Sequence, residues 1–440
     1  MKTLKLAFVL IIINASEFIY SQAQLREADY YFDAINGNNS NNGFTPYTAK
    51  QNLEGLIELG DIIAGKTVAF RDSMYYRGSY NLVANNVTLT NWWIGGSERL
   101  PRFTNSLGVI EWNSYSNYIW YSAADSISAV WLMYGDSSAW GRQAFSISDL
   151  LSEGDYFFSS DSTIYLYCPQ NPEDFYESIN IAFDNTILEV EGINNIIEYI
   201  EFFGAKSFCI YGAYSSLNLI IQNCVVHHAG NYAELLSGGG AHCIQVRANN
   251  SVLRHNEIFE GTNHGIHIWS NSESISGVII EYNNIYNTHH AGIDQNGFYP
   301  ISGTIIRYNK VGQTIWARER QFPGYPPEGN LNGGIYTANN LINNSVIAYN
   351  LIYNIYNQTG IFLNGGTGHL VYNNTVVNPV AYLDGGYGPM YSTSSTNLAK
   401  NNIVVNNSNR PCWIGNWSDS SSNNVSYNFG SGSADGGGSQ

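Results

Sequence analysis

The sequence predicts an all-β fold in which short strands wind into a solenoid, and three observations predict it. A unit of strand, asparagine-bearing turn and strand recurs from about residue 195 to 425. Between successive asparagines a further short strand recurs, most often around a Gly-Ile pair. The composition suits strands and turns: 44% hydrophobic, 14% aromatic and 12% charged residues, with 43 Gly and 33 Tyr in 440. The same figures exclude disorder, which goes with few apolar side chains. Nineteen Lys and Arg against 35 Asp and Glu, a net charge of −16, argue against a nucleic-acid partner, since phosphate binding needs basic stripes.

Taken in order, residues 1–23 read as a signal peptide. Lys2 and Lys5 supply positive charge, Leu6 to Ile13 is too short to span a bilayer, and Ser21-Gln22-Ala23 offers a cleavage site. No later apolar run reaches membrane length, so the expected product is secreted (extracellular or periplasmic), without a membrane span, and monomeric. Residues 24–99 lead into the first strands. Residues 100–180 break the repeat with WNSYSNYIWYSA, AVWLMYGD and EGDYFFSSDSTIYLYCPQNPED, which read as hairpins in a small β-rich insert. Residues 181–429 form the solenoid core. Residues 430–440 have the composition of a flexible Gly/Ser linker. The five cysteines show no CxxC spacing and read as buried thiols, at least one of them unbridged.

Within the core the repeats align as LIIQNCVV, VLRHNEIF, VIIEYNNIY, TIIRYNKV, SVIAYNLIY, LVYNNTVV and LAKNNIVV. The alignment takes Asn223, Asn256, Asn283, Asn309, Asn350, Asn373 and Asn401 as anchors. The intervening strands read HCIQV, HGIHI, AGIDQ, GGIYT and TGIFL. One such coil cannot bury its own apolar face, so coils must stack, asparagine over asparagine.

This pattern resembles the right-handed parallel β-helix of secreted polysaccharide lyases and glycoside hydrolases. The opening segments YYFDAINGNNSNNGFTPYT and LIELGDIIAGKTVAFRDSMYYRGSY fit it too. The resemblance implies an N-terminal cap, with Asn52 to Leu59 as a short helix over the first coil. It implies a flanking β-sandwich for the insert and a polysaccharide as partner. It is specific for the fold and weak for the reaction, because such folds host many chemistries.

Eight of the nine histidines fall between His227 and His290. In the Gly-Ile strands the Ile faces inward, so the next residue faces outward by the period of two. Gln245, His267, Asp294, Tyr336 and Phe362 should then form one ladder on the solvent face, with rungs about 4.8 Å apart. His267, Asp294 and Tyr336 make a proton-transfer set, and His290, in the turn before Asp294, joins them as a catalytic candidate. Gln245 and His264 are candidate substrate-binding residues. His242 and His264 either face the core or flank the cleft. His227 and His228 are placed in a turn like that of His289 and His290.

The insertion Gly312–Asn332 adds Trp316, Arg318, Arg320 and Tyr325, which suit stacking on a sugar and pairing with a uronate or sulfate. Residues 247–320 carry six basic and six acidic groups, a neutral stretch inside an acidic chain. Arg254, Glu281 and Arg307 read as a surface salt ladder, and His255, Tyr282, Tyr308, Tyr349 and Tyr372 as an aromatic stack.

No cofactor is expected; calcium and a zinc cluster of the histidines are the alternatives, against which stand the missing HExxH motif and the missing clustered acidic ligands of calcium-dependent relatives. The favoured function is a lyase acting by β-elimination on a uronate-containing polymer. The alternatives are a glycoside hydrolase using Asp294 with a second carboxylate (Glu260, Glu319 or Glu328), a uronate epimerase, and a non-catalytic adhesin or carbohydrate-binding protein.

Overall fold

The computed structural model describes residues 27–92, 99–108, 111–123, 130–134, 137–182, 186–230, 241–288, 290–312, 333–355, 359–377, 389–406 and 412–428. The segments read as signal peptide and linker tail, 1–23 and 430–440, lie outside them.

Three long parallel sheets run the length of the chain. The first has eleven strands, from Tyr30–Phe32 to Leu398–Lys400; the second has eleven, from Tyr75–Arg77 to Val425–Asn428. The third has ten, from Tyr80–Leu82 to Trp413–Gly415. Each coil gives one strand to each sheet in turn: Ile279–Glu281, then Asn284–Tyr286, then Ala291–Gly297. Every such strand pairs in parallel with its counterparts in the coils before and after. The chain is therefore a parallel β-helix, the expected fold. Among the described residues no helix is long and apolar enough to cross a membrane.

The alternation of side chains sends Ile and Val from all three sheets into one continuous core. Ile244, Ile266, Ile293, Ile335 and Ile361 stack in the third sheet, facing such residues as Ile280 and Ile285 in the other two. Each fully buried side chain of this size stabilises the fold by about 1.5–3 kcal/mol. The helix Leu53–Leu59 has Asn52 as N-cap, whose side chain accepts from the Gly55 amide, and it adds Leu53 and Leu56 to the same core.

The turn between the first and second sheets is held by an asparagine ladder. Asn256, Asn283, Asn309, Asn350, Asn374, Asn402 and Asn424 succeed one another. In each, the side-chain oxygen accepts from the backbone and side-chain N–H of the previous rung where that rung is also Asn. The anchors Asn223, Asn373 and Asn401 are corrected by one residue. They precede the ladder and hold left-handed backbone, with φ of 53°, 54° and 54°. In the first of these coils Cys224 takes the ladder position and its amide donates to Asn256.

His255, Tyr282, Tyr308 and Tyr349 share that left-handed column and stack nearly parallel at 4.9–5.0 Å. Tyr372 leaves the stack: it pairs with Ala348 one residue earlier and meets Tyr349 edge-on. The salt ladder forms only in part: Arg307 lies 2.7 Å from Glu281, whereas Arg254 turns the other way and donates to Gln222.

Between Arg102–Thr104 of the second sheet and Thr186–Val190 of the third, an antiparallel sheet of four strands and a mixed sheet of five interrupt the solenoid. They share a core of their own that includes Trp112, Tyr156, Leu166 and Ile181. The hairpin Tyr156–Leu166 turns at Ser162, which has φ 63°.

Candidate active site

The third sheet brings a set of polar and aromatic side chains into one outward column. Tyr211 pairs with Gln245, Gln245 with His267, His267 with Asp294, Asp294 with Tyr336, Tyr336 with Phe362, and Phe362 with Tyr391. Tyr336, Phe362 and Tyr391 stack face to face at 5.0 and 4.6 Å.

His264 joins the same face, although it stands three residues before His267 and strict alternation would turn it inward. The register explains it. The ladder pairs His242 with His264 and Ile244 with Ile266, and skips Cys243 and Gly265 between them. A Cβ on Gly265 would lie 2.6 Å from the core side chain of Ile285. Gly265 and Ile266 therefore both face the core, the strand bends, and His264 emerges on the outer face. Gly292 sits at the same corner in the next coil, its Cβ direction blocked by Val311. In the earlier coils Cys209 and Cys243 fill this inward corner with small buried thiols.

His264 Nε2 and His267 Nε2 both approach Asp294 Oδ2, at 3.4 and 3.2 Å. His267 Nδ1 lies 2.9 Å from His242 Nε2, and the rings of His242 and His264 stack at 4.8 Å. His267 and Asp294 are only 7% and 1% exposed. Burial pushes the Asp294 carboxyl up to about 6, against the pull of His264. Burial, with Arg247 nearby, pushes His267 down to about 3, and burial with the neighbouring imidazoles holds His242 well below the usual range. All three shifts favour uncharged forms, as the loss of water dictates.

Around this buried centre lie further polar and aromatic groups. His290 stands beside His264, ring centroids 5.2 Å apart. Tyr336 occupies the next rung after Asp294. The Gln245 amide oxygen accepts from Arg247 at 3.1 Å, and the Arg247 guanidinium lies over the rings of Tyr211 and Tyr214. Trp269 flanks His267 at 5.3 Å and meets Phe298, which is 72% exposed. Arg247 and Trp269 were not singled out from the sequence. The signal was there: each stands two residues beyond a ladder residue and so shares its face.

Other expected participants fall elsewhere. His227 and His228 lie in the strand Val225–Ala229 of the second sheet rather than in a turn. His227 is sandwiched between Phe203 and Phe259 and pairs with Glu201, itself bonded to Arg102. Glu260 accepts from Asn287. Trp316, Arg318, Arg320 and Tyr325, with Glu319, Glu328 and His289, lie outside the described residues.

No model of a known protein family matches the chain, and no curated protein does. Solved structures do. XylC in complex with xylose is 12% identical with a TM-score of 0.57, covering 86% of this chain and 69% of that one. A glycoside hydrolase is 9% identical with a TM-score of 0.54, covering 91% and 96%. A lacto-N-biosidase of family GH136 from Eubacterium ramulus is 12% identical at 0.47, covering 91% and 67%. What is shared is the fold. At these identities the reaction has to be argued from the column itself.

Proposed function

We propose that the chain is a carbohydrate-active enzyme that cleaves a uronate-containing polysaccharide by β-elimination in the groove over the third sheet. The observation that carries this reading is the column: a buried His–His–Asp centre in a row whose other rungs are mostly aromatic. Aromatic faces suit pyranose rings, and rungs about 4.8 Å apart run in the direction a polymer would lie. The xylose complex and the hydrolase of like fold are compatible with a saccharide ligand.

The elimination removes the proton at C5, forms a C4–C5 double bond and breaks the C4–O bond, whose oxygen takes up a proton. His267 is poorly placed as the base: one ring nitrogen faces His242 and the other faces Asp294. His290 and Tyr336 are the half-buried groups beside the centre. An imidazole is the side chain suited to accept a proton near neutral pH, so His290 takes the C5 proton and the Tyr336 hydroxyl protonates the leaving oxygen. Arg247, two rungs before Asp294, attracts the uronate carboxylate by a charge-assisted pair. The signal peptide read at residues 1–23 supports an activity outside the cytoplasm.

Hydrolysis is the second reading, favoured by the hydrolase among the similar folds. It requires a second carboxyl about 5–9.5 Å from Asp294. The rungs on either side of Asp294 carry His267 and Tyr336 instead.

Incubation with a panel of uronate and neutral polysaccharides separates the readings. Unsaturated-uronate absorbance rising together with reducing ends supports elimination. Reducing ends alone make the enzyme a hydrolase, and substrate binding without either makes it a binder.

A further inference from the structure

We propose that His264, His267 and Asp294 bind a divalent transition-metal cation such as zinc. The three offer one ligand atom each, and those atoms lie within 4.8 Å of one another. Two ligands at zinc distances in a tetrahedral site stand about 3.3–3.5 Å apart. The separations from Asp294 Oδ2 to the two Nε2 atoms are 3.4 and 3.2 Å.

The contact between His267 and Asp294 has the distance of a hydrogen bond without its alignment. His267 Nε2 and Asp294 Oδ1 are buried and have no hydrogen-bond partner. A buried imidazole nitrogen and carboxylate oxygen left in this way are costly, because neither water nor protein satisfies them. A cation between them removes that cost, because both would then point at a third body. The chemistry of the donors selects the ion: two imidazole nitrogens with one carboxylate suit zinc and its neighbours, whereas calcium and magnesium prefer oxygen throughout.

A supporting contact is already in place. His242 Nε2 holds His267 Nδ1 at 2.9 Å, which turns Nε2 toward Asp294. Metal-bound histidines characteristically use their second nitrogen in this way. With a cation on Nε2, the shared proton sits on His267 Nδ1 and is donated to His242. The His264 amide donates to His242 Nδ1 at 3.4 Å, a long bond that cation binding would break, because His242 then carries its own proton on Nδ1. Three protein ligands leave a fourth position for water or substrate. The role of the ion, though not its binding, rests on the elimination reading: there it would share with Arg247 the neutralisation of the uronate carboxylate.

The test uses the whole protein without substrate. Protein stripped with a chelator and dialysed is titrated with zinc by calorimetry, and with cobalt(II) by visible absorption. One zinc per chain and a four-coordinate cobalt band are expected. His267→Asn combined with Asp294→Asn should abolish uptake, and His242→Ala should weaken it about 10–100-fold. Absence of saturable zinc uptake by the wild type overturns the proposal, as does wild-type zinc affinity in the folded double variant. Should that variant fail to fold, the cobalt spectrum of the wild type decides: a six-coordinate, water-like spectrum overturns the site. A protein that binds zinc and yields no unsaturated uronate keeps the site and loses the lyase.

Discussion

Gly265 sets the direction of His264, and with it the composition of the centre. A methyl group there would meet Ile285 at 2.6 Å and the Gly292 carbonyl oxygen at 2.8 Å. Gly265→Ala should lower stability by about 1–3 kcal/mol, measured by denaturant midpoint, as overpacking does. It should also weaken zinc uptake, because straightening the corner returns His264 toward the core. The outward column of Gln245, His267, Asp294, Tyr336 and Phe362 was legible in the sequence, since a period of two in aligned strands needs no tertiary knowledge. The direction of His264 was not, because the corner between two sheets breaks that period and only packing reveals it. The metal site was hidden for a related reason: its third ligand comes from the next coil, where a search for one compact motif does not look. Tyr336, half-buried and stacked on Phe362, is the simplest single-residue probe of chemistry. Tyr336→Phe keeps the stack and removes the hydroxyl, so kcat should fall about 10²–10⁴-fold with Tm unchanged.

At the scale of the element, the asparagine ladder does what the core cannot. Asn309 accepts from the Asn283 backbone and side chain and donates to the Ile280 carbonyl and to Asn350. Asn309→Ala removes the side-chain partner of the Asn283 amide and the Ile280 carbonyl, both in the preceding coil, so a loss of about 1–3 kcal/mol is expected in equilibrium unfolding. The sequence showed that asparagines stack but placed three of them one residue early. In Asn373-Asn374 and Asn401-Asn402 two asparagines stand together, one suited to left-handed backbone and the other to the ladder. Asn tolerates both positions, so identity alone could not assign them. Tyr282, Tyr308 and Tyr349, held at φ of 57–58°, mark the left-handed position in the coils where the choice is unambiguous.

Over the whole molecule, each coil touches its neighbours and little else, which makes stability a sum of local and nearest-neighbour terms. A double-mutant cycle on the bonded pair Asn283 and Asn309 should give a coupling of about 0.5–3 kcal/mol. The same cycle on Asn256 and Asn402, several coils apart, should be additive within about 0.5 kcal/mol. A stack of this kind offers a long continuous face, and the third sheet uses it to set aromatic rungs on both sides of one buried polar centre. The stretch from 247 to 320, whose sequence includes that centre, is neutral within a chain of net charge −16. An anionic polymer would meet the least repulsion there. The most direct measurement is of the products formed from a uronate polymer by the wild type and by the folded Tyr336→Phe variant. The account predicts unsaturated ends in step with new reducing ends from the wild type and almost none from the variant. Cleavage by the wild type without unsaturated ends, or equal cleavage by both proteins, would contradict it.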